Sequence, residues 1–263
     1  MTDDTPLLAH RTGRVLTLTL NRPRRLNALD ADLRGRIRAA LEAAAGDDEV
    51  GAVLLVGSGE RAFCAGQDLN ESATLDGADD GGWIESWRAF FAAFFDFPKP
   101  LLAALNGVTA GGGLEIAMFC DVRLAAPHAR LIMSEIDVGL PTLIGSHWLD
   151  AHLGLSRMTE IVLTGRAVSA AEARDVGLVH EVVDADRLPA RALEHAAELA
   201  AKPPHAMTLN VRRFRDISAR RRHESRLFDA LVAFQREAVA SGEPRAAMEA
   251  FLRERAARRS RAE

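Results

Sequence analysis

The run "GRVLTLTL" (Gly13–Leu20) alternates apolar and polar positions around Thr17 and Thr19. A period of two predicts a half-buried strand. The pattern then changes. In "LDADLRGRIRAALEAAA", Leu29, Leu33, Ile37 and Leu41 recur at a spacing of four, which predicts an amphipathic helix with Asp30 or Asp32 as its N-cap. "VGAVLLV" (Val50–Val56) is an unbroken apolar run and reads as a buried strand. "WIESWRAFFAAFF" (Trp83–Phe95) reads as a helix stopped by Pro98 and Pro100. "LLAAL" (Leu101–Leu105) and "DVRLAA" (Asp121–Ala126) read as strands, with glycines and a helix between them. From about Ser146 the pattern is helical apart from "LVHEVV" (Leu178–Val183), and "LDGADDGG" (Leu75–Gly82) reads as a polar loop. The chain divides into an α/β core, residues 1–200, and a helical C-terminal region, residues 201–263, of a kind that packs on another subunit.

Composition narrows the class. With 263 residues and 48% hydrophobic content, the chain can bury a sizeable core. A net charge of -4 gives no global basic field, so nucleic acid is not an expected partner. Arginines do gather in Arg212–Arg226 and Arg253–Arg261, where a solvated, ion-paired helix face competes with an anion site. The opening "MTDDTPLLAH" is acidic and does not read as a leader, and no apolar run approaches the roughly 20 residues of a membrane span. The expectation is a cytoplasmic protein with no membrane partner. Cys64 and Cys120 are the only cysteines and read as reduced core residues.

Several motifs have dull explanations. Gly57, Gly59 and Ala62 fit G-x-G-x-x-A after a strand, but "FCAGQD" does not open a helix there, so an ordinary glycine turn is the better reading. There is no phosphate loop with Lys and Ser/Thr, no G-x-S-x-G elbow and no H-E-x-x-H, and the eight histidines read as structural or surface residues. No metal is called for.

"TAGGGLEIAMFCD" (Thr109–Asp121) is different. Its three glycines precede a helix, whose first N–H groups lack intrahelical partners and can hold an oxygen that becomes negative. Glu115 then opens an apolar run, where a carboxylate is costly unless it is paired, hydrogen-bonded or protonated. "FCAGQDL" (Phe63–Leu69) is a second small-residue loop after a buried strand, with an N–H near Gln67 and a helix capped by Asp68. "LIMSEIDVGLP" (Leu131–Pro141) places Glu135 in another apolar setting. Two carboxylates near one electrophile suit general acid–base work, because their repulsion keeps one protonated.

These stretches together resemble the enoyl-CoA hydratase/isomerase (crotonase) superfamily over nearly the whole chain. "LNRPRRLNAL" (Leu20–Leu29) is similar to its N-terminal signature, "FCAGQDL" and "NGVTAGGGLEIAMFCDVRLAA" to its two oxyanion loops, and "VLTGRAVSAAEARDVGLVHEVV" (Val162–Val183) to a later helical signature. The resemblance implies a spiral of ββα units with a helical C-terminal region, assembled as a homotrimer or a dimer of trimers. It implies that Glu115 and Glu135 are the catalytic glutamates and that the N–H groups of Gln67 and Gly112 hold a thioester oxygen. Ala65, Gly66, Asp68, Leu69 and Gly111 would complete the acyl-CoA site, with Arg24, Arg25 and Arg255 reaching the CoA. The substrate would bring the CoA, so no separate cofactor is expected.

Retention of both glutamates favours hydration of a 2-enoyl-CoA, or the reverse dehydration. The segment Ile136–Trp148 departs from the family's glycine-rich turn, with Thr142 near an expected glycine. That departure keeps isomerisation or thioester hydrolysis as the alternative. A non-catalytic CoA-ester binder and a dinucleotide enzyme are the readings outside this chemistry.

Overall fold

The computed structural model describes residues 5–72, 81–142, 144–220, 233–234, 237–238 and 240–260. Six strands form the larger sheet: β1 (Leu7–Thr12), β2 (Val15–Leu20), β3 (Ala52–Gly57), β5 (Leu101–Leu105), β7 (Val122–Ala125) and β10 (Glu181–Val182), side by side in that order. Only the β1–β2 hairpin is antiparallel; every later pairing is parallel. The smaller sheet runs β4 (Ala62–Cys64), β6 (Val108–Ala110), β8 (Arg130–Ile132) and β9 (Val168–Ser169). The chain alternates between them. A strand of the large sheet leads to a short strand of the small one and then to helix, in the series β3–β4, β5–β6 and β7–β8.

The unbroken apolar pattern of β3 follows from burial on both faces, as expected of a parallel sheet. Val53 and Leu55 point to one side, with α1 (Ala31–Gly46), α3 (Gly81–Phe95) and α4 (Gly112–Phe119). Ala52 and Leu54 point to the other, where α8 (Leu188–Ala200) packs Leu188, Ala192 and Ala196. Helix α1 buries Leu33, Ile37 and Leu41, and the side chain of Asp30, not Asp32, caps it by accepting from the Leu33 N–H. Asp32 pairs instead with Arg36 at 2.8 Å. In α3, Phe90 and Phe94 enter the core.

The sequence reading placed no strand at Leu7–Thr12. This edge strand buries only its first residue and so carries no alternation. The small sheet also went unread, because strands of two or three residues are too short to show a period. The turn at Gly57–Ala62 joins β3 to β4 with no helix, in keeping with an ordinary glycine turn. The polar loop expected at Leu75–Gly82 falls mostly outside the described residues. Helix α9 (Pro204–Arg220) is tied back by an Arg215–Asp121 ion pair of 3.0 Å, and the C-terminal helix (Glu243–Ser260) seats Met248 against Val138 and Leu140 of its own chain.

One buried polar residue joins the N-terminal signature to this frame. Asn27 is fully buried, with a positive φ of 56° that asparagine tolerates better than most residues. Its Nδ2 donates to the carbonyls of Ser58 and Ala62, and its Oδ1 accepts from the Arg22 N–H. Asn27→Ala strands these groups and is expected to lower unfolding stability by about 2–4 kcal/mol, read as a lower urea midpoint. A loss under about 1 kcal/mol would show that water or neighbours replace the side chain.

Candidate active site

The two small-residue loops end strands β4 and β6 of the small sheet, which pair in parallel. They come close enough to need glycine. A Cβ on Gly66, where φ is +86°, would lie 2.6 Å from the Ala110 carbonyl oxygen and 3.2 Å from the Gly112 nitrogen. Gly111, with φ +49°, precedes α4, and a Cβ there would lie 3.2 Å from Glu135 Oε1. The Glu135 carboxyl therefore lies against the second glycine loop.

These pieces line one cleft of about 1200 Å³. Arg24, Arg25, Ala65, Gln67, Asp68, Leu69, Gly111, Gly112, Glu115 and Glu135 all contribute to its wall. Gly66 is buried behind it. The side chain of Arg255 lies outside the described residues, but its neighbours Phe251, Leu252 and Ala256 on the C-terminal helix also line the cleft. Ten residues singled out from the sequence thus share one cleft.

Glu115 sits in the first turn of α4, all of whose residues are buried. Its Oε1 accepts the Gly145 N–H at 2.8 Å, from the start of α5 (Ile144–Leu153). Burial raises its pKa, the Glu135 carboxyl raises it further, and the Gly145 N–H pulls it back. The helix N-terminus also favours a negative charge, by about 0.3–2 kcal/mol. The net direction is still upward, so desolvation wins. Glu135 stands at the start of a 3-10 turn, Glu135–Val138, and its Oε2 accepts from Thr142 Oγ1 at 3.3 Å. Burial raises its pKa as well, while a backbone N–H and the Thr142 hydroxyl oppose the rise. Both carboxyls are pushed up, and groups that interact this way titrate as a pair.

Asp68 lines the cleft, but its carboxylate is engaged in holding the loop. Burial would raise its pKa, yet hydrogen bonds from Asn70 and Arg22 more than offset that and lower it. Arg22 bridges Asp68 at 3.0 Å and Asp30 at 2.7 Å, and also donates to the Ala28 carbonyl. Arg22 therefore ties the first signature to the first loop.

One wall lies outside the signature motifs. Trp83, Trp87 and Phe91 of α3 line the cleft, and Trp87 stacks on Phe91 with centroids 5.4 Å apart. The buried Arg34 lies 4.5 Å over the Trp87 ring, pairs with Glu71 at 3.1 Å and donates to the Leu29 carbonyl. The signal was present in the spacing of Trp83, Trp87 and Phe91, which recur every four residues on one helix face. Among the described residues, no three His, Cys, Asp or Glu side chains gather as a metal site would, and no helix is long and apolar enough to cross a membrane.

Comparison with known proteins matches this arrangement to a family. The family described as enoyl-CoA hydratase/isomerase matches residues 10–258. A protein of Rhizobium meliloti named probable enoyl-CoA hydratase is 40% identical over 243 residues, covering 89% of this chain and 93% of its own. A protein of Escherichia coli named 1,2-epoxyphenylacetyl-CoA isomerase is 35% identical over 208 residues, covering 77% of this chain and 79% of its own. The crystal structure of an enoyl-CoA hydratase/isomerase from Pseudoalteromonas atlantica superposes with a TM-score of 0.85 at 30% identity, covering 95% of this chain and 97% of that one. With its ββα spiral and its cleft between two glycine loops, the chain belongs to the enoyl-CoA hydratase/isomerase (crotonase) family.

Proposed function

We propose that this protein adds water to a 2-enoyl-CoA to give a 3-hydroxyacyl-CoA, and catalyses the reverse dehydration. The observation that carries this reading is the pair of raised carboxyls, Glu115 and Glu135, in one cleft beside two glycine loops. Hydration requires water oxygen to bond to the β-carbon, water to lose a proton, and the α-carbon to gain one. A carboxyl pair that shares a proton serves both needs. The ionised member takes the proton from water, and the protonated member delivers one to the α-carbon.

Between those events the thioester oxygen carries enolate charge. The N–H groups of Gln67 and Gly112 would hold it, Gly112 being the first residue of α4. Loss of one such donor costs about 2.7–4 kcal/mol of transition-state stabilisation. Ala65, Gly66, Asp68, Leu69 and Gly111 shape the acyl-CoA site. Arg24 and Arg25, exposed at its rim, suit CoA phosphates, and the family resemblance gives Arg255 the same role. The chemistry needs no cofactor beyond the CoA of the substrate. Exposed Leu155, Leu163, Leu209 and Phe214 support assembly with further copies, for which we propose a homotrimer or dimer of trimers.

The second reading is another reaction on an acyl-CoA, isomerisation or thioester hydrolysis. The similarity to a protein named an isomerase favours it, as does the altered Ile136–Trp148 segment. Turnover of a 3-enoyl-CoA or release of free CoA, with no hydration, would establish it.

Loss of the ultraviolet absorbance of crotonyl-CoA tests hydration directly. Glu115→Gln and Glu135→Gln are each expected to lower kcat about 100- to 10,000-fold while CoA esters still bind. Unchanged turnover in either variant would remove that carboxyl from the mechanism.

The raised pKa of Glu115 also predicts a stability signature. The folded state keeps a proton that the unfolded chain releases near its ordinary pKa of 4.5. Stability linked to this group is therefore full below that value and falls as pH rises toward the folded pKa. Glu115→Gln is exempt from the loss. Its melting temperature relative to the wild type is expected to rise by roughly 3 °C or more between pH 5 and pH 8. A gap that does not change with pH would mean Glu115 is ionised in the fold.

A further inference from the structure

Thr142 stands near the glycine that the resemblance leads one to expect in this segment, and its side chain is placed in two ways at once. Its Oγ1 donates to Glu135 Oε2 at 3.3 Å. Its methyl, Cγ2, lies 3.0 Å from the point a Cβ on Gly145 would occupy. Two heavy atoms on one Cβ turn together, so seating the methyl against Gly145 directs the hydroxyl at Glu135. Gly145 in turn gives its N–H to Glu115. The chain entering α5 thus touches both carboxyls, through the Thr142 side chain before the helix and the Gly145 backbone in its first turn.

We infer that Thr142 is a positioning residue: its hydroxyl holds the Glu135 carboxylate while the Gly145 N–H holds Glu115, so that one short stretch of chain sets how the pair faces a shared water. The inference rests on the hydratase reading for its catalytic consequence. A glycine at 142 leaves that stretch with only the backbone grip. The 3.3 Å contact is long for O–H···O, and such contacts tighten when a substrate fills the site. A hydroxyl both donates and accepts. It stabilises Glu135 as a carboxylate, and it can accept from Glu135 once that group has taken a proton from water. Thr142 therefore serves both ends of the proton transfer without moving.

The charged groups around Glu135 do not duplicate this role. Glu115 lies on α4, and its own pKa is raised by the Glu135 carboxyl. Asp137 shares its turn, and Arg24, Arg25, Asp68 and Arg88 line the same cleft. The C-terminal helix meets this region through Glu243, Pro244 and Met248, of which only Glu243 carries a charge, and Glu243 approaches Gly139 through its backbone.

The test compares Thr142→Val, which keeps the shape and loses the hydroxyl, with Thr142→Ser, which keeps the hydroxyl. For crotonyl-CoA hydration, Thr142→Val is expected to lose about tenfold or more in kcat with KM within about twofold, the scale of one hydrogen bond to a charged group. Thr142→Ser should restore most of it. Near wild-type kcat in Thr142→Val, or equal loss in both variants, overturns the inference. A second measurement does not depend on turnover. The ¹³C resonance of the Glu135 side-chain carboxyl at pH 7 should move toward the protonated form in Thr142→Val and return in Thr142→Ser; no movement, or the same movement in both, also overturns it. A wild type that hydrates no enoyl-CoA removes the proposed reaction, while the resonance still decides whether Thr142 holds Glu135.

Discussion

A Cβ on Gly113 would fall on the carbonyl oxygen of Cys64, and a Cβ on Gly66 would fall almost as close to the carbonyl of Ala110. These two approaches let the loops after β4 and β6 lie against each other with no side chain between them. Everything in the cleft depends on that contact. It brings Gln67 and Gly112 into one wall and sets α4 so that its first turn faces the cleft. It also leaves Glu115 no path to water except through the cleft itself. The cost of burying that carboxylate is reduced by the Gly145 N–H, and what remains pushes its pKa up. The geometry that packs the backbone and the geometry that raises the carboxyl pKa are the same.

The inner strands of the large sheet were legible because their signals are long, whereas its edge strand β1 was not read. An unbroken apolar run at β3 and a spacing of four at α1 each need only a few residues to declare themselves, and both meet the core where the pattern requires. The small sheet was not legible. Its strands take their place from pairing with each other, and two or three residues cannot show a period. Yet the small sheet carries the site, since β4, β6 and β8 end at the loops of Gln67, Gly112 and Glu135. The site was readable anyway, through unusual residue choices: glycines in a row, and a carboxylate inside an apolar run. Local improbability was the better guide here than periodicity.

What stayed hidden shares another feature. Asn27, Arg22 and Arg34 act through contacts tens of positions away in sequence, to Ala62, Asp68, Glu71 and Ser86. Nothing in their local sequence marks them off from surface residues, and in "LNRPRRLNAL" the exposed Arg24 and Arg25 look the same as the engaged Arg22. A buried arginine is costly unless its donors are matched, and Arg22 finds two carboxylates and a carbonyl. Such residues fix the loops that fix the cleft, so the least readable part of the sequence is what holds the most readable part in place.

The two carboxyls differ in a way that bears on how the proton is divided. Glu115 is anchored in a helix, in the core, by a backbone donor that cannot accept a proton in return. Glu135 sits in a short turn, half-buried, on a hydroxyl that can donate or accept. A group that must gain and lose a proton in each cycle is served better by the second environment. A group that must be held in place while its charge changes is served better by the first. The asymmetry lies in the supports and not in the side chains, which are identical, and the supports are supplied by the same few residues at the start of α5. Changing that segment is therefore an economical route to a different balance between the carboxyls, with both glutamates and both glycine loops left as they are.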